Sequence, residues 1–406
     1  MISTSFVNDR YASAPGSPIR ELKRFTELPG MISLAGGYPA PELMDSSGLQ
    51  KIFSSLTGPA FASALEYGAT EGAIALRTEL ARLSNARGIA VEPGEVLALS
   101  GSQQGIDLLA RTLLSRGDTV LVEAPTYPAA ISAFRFAGAA IHQVATDDEG
   151  LVIEDLERAL IRLKPKLLYT VPTFGNPSGR TLSAGRRREL LKLAVRHQCL
   201  VIEDDPYGEL WFDQAPPPPI YSMRHAVDGG ERVVTYLSSL SKTLAPGLRL
   251  GWMLGPAEVR RACVLAKQTD DMHASTLTQA AAAAYLAQGL FADNLPRLRA
   301  SYGKRAKALV RALREQLGHR IEFTAPGGGM FVWGRAPGVD TAEWLKAAIE
   351  RRVLFVPGAA FYAQEADNAT FRLSFASQDE SGIAMGVSRL EEALHARAPV
   401  RAGHNR

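Results

Sequence analysis

Ser239-Leu240-Ser241-Lys242 follows directly on the apolar run Val233–Ser238. A lysine kept for solubility belongs on a helix face. One at the end of a buried strand, among small hydroxyl residues, sits where partial desolvation lowers its pKa and frees an amine to attack an aldehyde. A solvated loop lysine would leave the same local pattern. Seven residues on, Arg249 lies in Ala245-Pro246-Gly247-Leu248-Arg249-Leu250-Gly251-Trp252. A guanidinium there can grip a phosphate through two hydrogen bonds, with Ser239 and Ser241 adding hydroxyl donors. Capping a carboxylate is the plainer use of such an arginine. Ser100-Gly101-Ser102-Gln103-Gln104-Gly105 leaves a strand and opens a helix, so backbone N–H groups and the helix dipole face any anion placed there. Taken alone, an ordinary N-cap at Ser102 is the plainer reading, since capping is common.

Glu203-Asp204-Asp205-Pro206-Tyr207 ends another apolar run. Consecutive acids at a buried strand terminus are costly unless a cation or metal pairs with them. A carboxylate facing a pyridine nitrogen keeps it protonated, which makes the ring an electron sink. Tyr207, three residues after Asp204, would reach a phenolic oxygen on the same ring. A divalent metal is the competing partner, although no histidine-rich set accompanies these acids. Asn176, in Val171-Pro172-Thr173-Phe174-Gly175-Asn176-Pro177-Ser178-Gly179, projects its amide beyond a strand; the same dipeptides also make a plain turn. Arg372, inside the alternating run Phe371–Phe375, suits a two-pronged grip on a substrate carboxylate.

These residues need a frame that brings strand ends together. Val96–Leu99, Thr119–Glu123, Ile141–Val144, Leu167–Val171, Leu200–Asp204, Val233–Ser238 and Leu250–Leu254 read as seven buried strands. Amphipathic stretches at Gln104–Ser115, Ile153–Leu163 and Ala184–His197 separate several of them. That alternation predicts a mostly parallel sheet covered by helices, with ligands beyond the carboxyl ends of the strands. After a long helical region near Thr278 to Leu317, the segments Ile321–Thr324, Met330–Trp333, Ala342–Arg352 and Phe371–Phe375 mix strands and helices as a smaller α+β unit. Pro216–Pro219 reads as an extended surface linker, and the residues from Ala396 as a short disordered tail.

The chain has 406 residues, enough for one large and one smaller domain, with 46% hydrophobic and 21% charged residues and a net charge of +3. Its basic residues are scattered, which argues against nucleic acid as a partner. The densest group, Arg186-Arg187-Arg188, reads as a solvated helix face. Cys199 and Cys263 form no CxxC pair, and Cys199 reads as a buried inert thiol. No signal-peptide pattern or membrane-length apolar run occurs, so the expected location is the cytoplasm, without membrane association.

Taken in order, these motifs resemble the fold-type I, class I/II aminotransferases that depend on pyridoxal 5′-phosphate. Within that group the chain looks most like the α-aminoadipate and kynurenine aminotransferase branch. The resemblance rests on Ala35-Gly36-Gly37-Tyr38-Pro39-Ala40-Pro41-Glu42, Tyr67-Gly68-Ala69-Thr70-Glu71-Gly72, Gly101–Gly105, Glu203–Tyr207 and Ser239–Arg249. It implies an α/β fold of PLP-dependent transferase type I: a mostly parallel seven-stranded sheet plus a smaller α+β domain. Residues 1–46 would form a mobile arm over the small domain and substrate site, 47–305 the large PLP-binding domain, 306–396 the small domain, and 397–406 the tail. Lys242 would hold the cofactor as a Schiff base and then shuttle the proton. Asp204 would pair with the pyridine nitrogen, Asn176 and Tyr207 with the ring oxygen, and Tyr127 would stack on the ring. Ser102, Gln103, Ser239, Ser241 and Arg249 would hold the phosphate. Tyr67 would reach the phosphate of a neighbouring subunit, making a homodimer with sites at the interface. Arg372 would bind the substrate α-carboxylate, with Gly37 near it through its backbone.

The implied activity is transfer of an amino group from an L-α-amino acid to a 2-oxo acid, such as 2-oxoglutarate or pyruvate, by a ping-pong mechanism. A lyase or decarboxylase on the same fold would share the cofactor residues. A sensor domain fused to a DNA-binding module is disfavoured because only about 35 residues precede Gly36. A nucleotide-dependent enzyme lacks either phosphate fingerprint. In the resembling branch the segment around Arg20 covers the site, which makes Arg20 a reader of a distal carboxylate or else an exposed helix arginine. Tyr38 stands where the branch often has an aliphatic residue and points to an aromatic or unusual substrate.

Overall fold

A computed structural model describes residues 6, 7, 9–12, 16 and 18–395. The expected tail lies outside them. The central sheet consists of β1 (Leu97–Leu99), β2 (Thr119–Ala124), β3 (Ala140–Asp147), β4 (Gly150–Leu151), β5 (Leu167–Thr170), β6 (Leu200–Asp204), β7 (Val234–Ser239) and β8 (Gly251–Leu254). Their order across the sheet is β1-β8-β7-β6-β5-β2-β3-β4. β3, β2, β5, β6 and β7 run parallel; β8 is antiparallel to both its neighbours, and β4 folds back on β3. All seven expected strands are present. The eighth is the two-residue β4, formed where Gly150 takes φ +90° and pairs with Asp147. So short a ladder has no hydrophobic alternation to show in sequence.

Helices cover the sheet: α1 (Ser102–Leu113), α2 (Pro128–Ala137), α3 (Ile153–Leu163), α4 (Ala184–His197), α5 (Ala257–Asp270) and α6 (Thr276–Ala287). In α3 the buried residues are Leu156, Ala159 and Leu160, a single apolar face at helical spacing. α2, β5, β6 and β7 contribute rings and branched side chains to one continuous core. Strands buried on both faces explain the unbroken apolar runs.

The arginine run on α4 departs from expectation. Arg188 is exposed and Arg186 is partly buried, pairing with Asp147 at 2.6 Å, but Arg187 is wholly buried. Its guanidinium donates to the carbonyls of Leu182 at 2.8 Å, Pro172 at 2.9 Å and Pro218 at 3.1 Å, and to Thr173 Oγ1 at 2.9 Å. It therefore ties the turn after β5 to the proline linker. Pro216, Pro217 and Pro218 stay at the surface while Pro219 turns inward. Cys199 and Cys263 are both buried.

The 28-residue α7 (Leu290–Leu317) leads to a four-stranded antiparallel sheet of order β9-β10-β12-β11, from β9 (Glu322–Phe323), β10 (Phe331–Arg335), β11 (Val356–Pro357) and β12 (Thr370–Ser374). Near the N-terminus, Ile32–Ser33 pairs in parallel with Val353–Leu354. Leu22 and Ala35 pack with Trp333, Val356 and Phe361 against this smaller sheet. Tyr11 stacks on Phe136 of α2, ring centres 4.4 Å apart. Among the described residues no helix is long and apolar enough to cross a membrane.

Candidate active site

The parallel register aligns the strand ends. Thr170 of β5 lies beside Glu203, Glu203 beside Tyr236, and Asp204 beside Leu237. Asp204, Asn176 and Lys242 therefore emerge from one edge of the sheet, where Arg372 reaches them from the smaller one.

The three acids at the end of β6 have separate fates. Glu203 is buried and accepts from the backbone N–H groups of Ile220 and Tyr221, each at 2.8 Å. Asp205 accepts from Arg87 at 3.0 Å and from the Tyr236 hydroxyl at 3.2 Å. Asp204, between them, accepts the Tyr169 hydroxyl at Oδ2, 2.7 Å away, while its Oδ1 is buried without a partner among the described residues. Burial pushes the Asp204 carboxyl up to about 7, and the Asp205 charge adds to it; the Tyr169 hydrogen bond and the Lys242 charge pull it back.

Lys242 donates from Nζ to the carbonyl of Gly37 at 3.0 Å. Burial lowers its amine to about 8, with the Arg372 and Arg249 charges acting the same way and Asp204 opposing them. Near neutral pH this amine has a far larger unprotonated fraction than a solvated loop lysine, whose midpoint stays in the ordinary lysine range.

Arg372 of β12 is buried between two rings, 4.3 Å from the Phe331 centre and 4.8 Å from that of Phe361. It donates from Nη1 to Asn176 Oδ1 at 2.7 Å and from Nη2 to the Ala35 carbonyl, while Nε is buried without a partner among the described residues. Burial brings its pKa down to about 10, so it keeps its charge. Tyr207 is buried, hydrogen-bonded to Asn176 and edge-on to Phe331. Tyr127 lies at the start of α2, its phenol raised to about 12 by burial and the Asp204 charge.

A cradle lies at the start of α1. Gly101 takes the N-cap position with φ +91°, so Ser102 is the first helical residue and not the cap. A Cβ on Gly101 would come 2.7 Å from Arg249 Nη2, and one on Gly251 would come 2.7 Å from the Ser102 nitrogen. The guanidinium and the helix N-terminus are thus close together because glycine permits it. Arg249 is held at φ +52° and donates to Ser241 Oγ at 3.5 Å, the Pro246 carbonyl at 3.3 Å and the Ser100 carbonyl at 3.2 Å. No carboxylate caps it in these contacts. Ser239 Oγ accepts from the Ser241 N–H at 3.0 Å, and Gln103 Oε1 is buried without a partner among the described residues.

The remaining candidates lie further out. Tyr67 is exposed and edge-on to His273. Tyr38 is 56% exposed, and Arg20, in the short helix Pro18–Glu21, is exposed as well. Both are close enough for their charges to act on the Tyr127 phenol.

The family profile for class I and II aminotransferases matches residues 58–390, most of the chain. The chain belongs to that family. This aminotransferase is 39% identical to a 2-aminoadipate transaminase of Thermus thermophilus, over 93% of its own length and 94% of the relative's. It is 38% identical to aromatic-amino-acid aminotransferase 1 of Thermococcus litoralis, over 96% and 94% of the two chains. Its fold overlays the crystal structure of Pyrococcus horikoshii kynurenine aminotransferase with a TM-score of 0.92 at 37% identity, covering 97% and 98%.

Sequence reasoning missed three contributors to this aminotransferase site. Tyr169, inside an apolar strand, is indistinguishable by pattern from a core aromatic. Its neighbour across the ladder is Ile202, which puts Asp204 diagonally beside it on the same face. Phe331 and Phe361 are likewise apolar residues of the small sheet and its loops, and only the fold brings them to Arg372.

Proposed function

We propose that this aminotransferase moves an amino group from an L-α-amino acid to a 2-oxo acid in a two-stage cycle, with pyridoxal 5′-phosphate as its cofactor. The observation that carries the reading is the unpartnered, buried Oδ1 of Asp204, set at one sheet edge with a near-neutral Lys242 amine and the Arg249–Ser102 cradle. A buried carboxylate oxygen without a donor fits a protonated ring nitrogen, and the cradle fits a phosphate. The donor set therefore suits this cofactor.

Arg249, Ser239, Ser241, Ser102 and Gln103 would hold the phosphate. Asp204 would keep the ring nitrogen charged, Asn176 and Tyr207 would meet the ring oxygen, and Tyr127 would lie against the ring face. When bound, the cofactor supplies an electron sink that makes the substrate Cα–H acidic. Lys242 Nζ would then take and return that proton, a task suited to an amine lowered to about 8. Arg372, already aligned by Asn176 and the Ala35 carbonyl, would take the substrate carboxylate at its remaining N–H groups. Gly37, two residues after Ala35, meets Lys242 Nζ through its carbonyl and would lie near the substrate carboxylate through its backbone.

For the substrate we favour 2-aminoadipate or aromatic amino acids, the class named for the relatives, with 2-oxoglutarate or pyruvate as acceptor. Arg20 would read a distal carboxylate and Tyr38 would line the side-chain end. The exposed Tyr67 would reach the phosphate of a second subunit in a homodimer, and the cytoplasm is the proposed location.

Borohydride reduction followed by peptide mapping tests the cofactor assignment, with a pyridoxyl group expected on Lys242. A label on another lysine, or none, overturns it. Amino donors mixed with the loaded protein should convert the cofactor to its pyridoxamine form and release a 2-oxo acid; failure of every donor overturns the transamination.

A further inference from the structure

Behind the phosphate cradle lies a buried cation that touches none of the candidate cofactor residues. Lys267, in the last turn of α5, has a side chain with no exposed surface. Its Nζ donates to Asp271 Oδ1 at 2.6 Å and to Gln104 Oε1 at 3.1 Å. A helix C-terminus favours a cation electrostatically, but a lysine serving the dipole alone would stay in water. Burying the ammonium is costly without close partners, and these partners lead to one residue.

That residue is Ser100, between β1 and Gly101. Its N–H donates to Gln104 Oε1 at 2.8 Å, its hydroxyl donates to Asp271 Oδ2 at 2.7 Å, and its carbonyl accepts from Arg249 Nη2 at 3.2 Å. Gln104 Nε2 closes the cluster by donating to Asp271 Oδ2 at 2.8 Å and to Asp270 Oδ2 at 3.0 Å. All three polar groups of Ser100 are therefore fixed, two by the Lys267 cluster and the third by the arginine of the cradle. Gly101 follows at φ +91°, and the free N–H groups of α1 begin one residue later. A tilt of the Ser100 peptide would move the Arg249 guanidinium and the helix N-terminus together.

We propose that Lys267, acting through Asp271 and Gln104, is a positioning residue for cofactor phosphate: it fixes Ser100 so that Arg249 and the N-terminus of α1 converge on one anion. The proposal rests on the cofactor reading given above. It predicts an effect specific to the phosphate and absent from the ring.

The test compares two ligands on cofactor-free protein, pyridoxal 5′-phosphate and pyridoxal, which lacks the phosphate, by absorbance titration. Lys267→Met should weaken pyridoxal phosphate by about tenfold, close to the worth of one charge-assisted hydrogen bond, and leave pyridoxal within about twofold. Ser100→Ala, which keeps every buried charge paired, should give the same pattern at about two- to fivefold. If Lys267→Met does not fold, Ser100→Ala decides. Equal weakening of both ligands would mark a general structural role and overturn the proposal, as would unchanged binding of pyridoxal phosphate. Wild-type protein with no preference for pyridoxal phosphate over pyridoxal would instead overturn the cofactor reading itself, and this inference with it.

Discussion

Replacing Tyr169 by phenylalanine isolates the side-chain hydrogen bond that holds the Asp204 carboxyl down against its burial. The ring packs edge-on to Phe134 at 5.9 Å, and phenylalanine keeps that contact. Only the hydroxyl goes, and with it the 2.7 Å hydrogen bond to Oδ2. Oδ1 already lacks a partner among the described residues, so the carboxylate would lose its sole direct donor among them. A hydrogen bond to an ionised group is worth about 1.5–3 kcal/mol. That raises the carboxyl by roughly one to two pH units, from about 7 to about 8–9. At pH ~7.5 the ionised fraction would fall from about three quarters to between roughly a quarter and a thirtieth. The protonated form cannot hold a ring cation, so activity should be lost on the acidic side and recover as pH rises. Single-turnover rates with a saturating amino donor, measured from about pH 6 to about 9.5, report this as an acidic limb displaced upward by roughly one to two units. The cofactor's own charge acts on wild type and variant alike, so the difference between limbs carries the test. Coincident limbs, or a loss equal at every pH, would refute the assignment of Tyr169 as a tuning partner.

Arg372→Lys removes the planar fork while keeping a charge, and should raise KM for the amino donor by about 100-fold with a smaller change in kcat; steady-state kinetics would show an unchanged KM if another residue binds the carboxylate. Gly101→Ala meets both φ +91° and the Arg249 Nη2 atom at 2.7 Å, and should weaken cofactor binding about tenfold or more by equilibrium titration. Arg187→Met leaves three carbonyls and the buried Glu203 without their arginine, and should cost about 3–5 kcal/mol in denaturant unfolding, far beyond what a solvated arginine would cost.

Much of this molecule can be read from its sequence because parallel strands covered on both faces leave unbroken apolar runs. β6 and helices α3 and α4 have the ends expected of them, and Asp204, Asn176, Ser241 and Lys242 lie at or just beyond strand ends, while Arg372 sits within β12. What escaped has a common cause. Arg187, Lys267 and Tyr169 look like a surface cation, a helix-end lysine and a core ring, since residue type and local period carry no record of a neighbour far along the chain. Arg187 meets Pro218, 31 residues away, and Lys267 meets Gln104, 163 away. Polar residues inside a packed frame gain their meaning from tertiary partners. The cap position follows the same logic: serine suits an N-cap, but the close approach of Arg249 places Gly101 there and makes Ser102 the first helical residue.

The segment carrying Arg20 and Tyr38 lies outside the central sheet, packed on the small sheet through Leu22 and Ala35. Its outward residues contribute little to either core, so exchanging them should cost on the order of 0.5 kcal/mol or less in stability. The buried machinery around Asp204 and Arg372 has no such tolerance. Under the substrate reading proposed above, evolutionary freedom in this protein would be unevenly distributed: the chemistry would be locked into the fold, and the choice of side chain accepted could drift at the rim without threatening it. A library confined to positions 20 and 38 should yield folded variants at a high rate and with altered donor preference, which makes this rim the place to begin retargeting the enzyme.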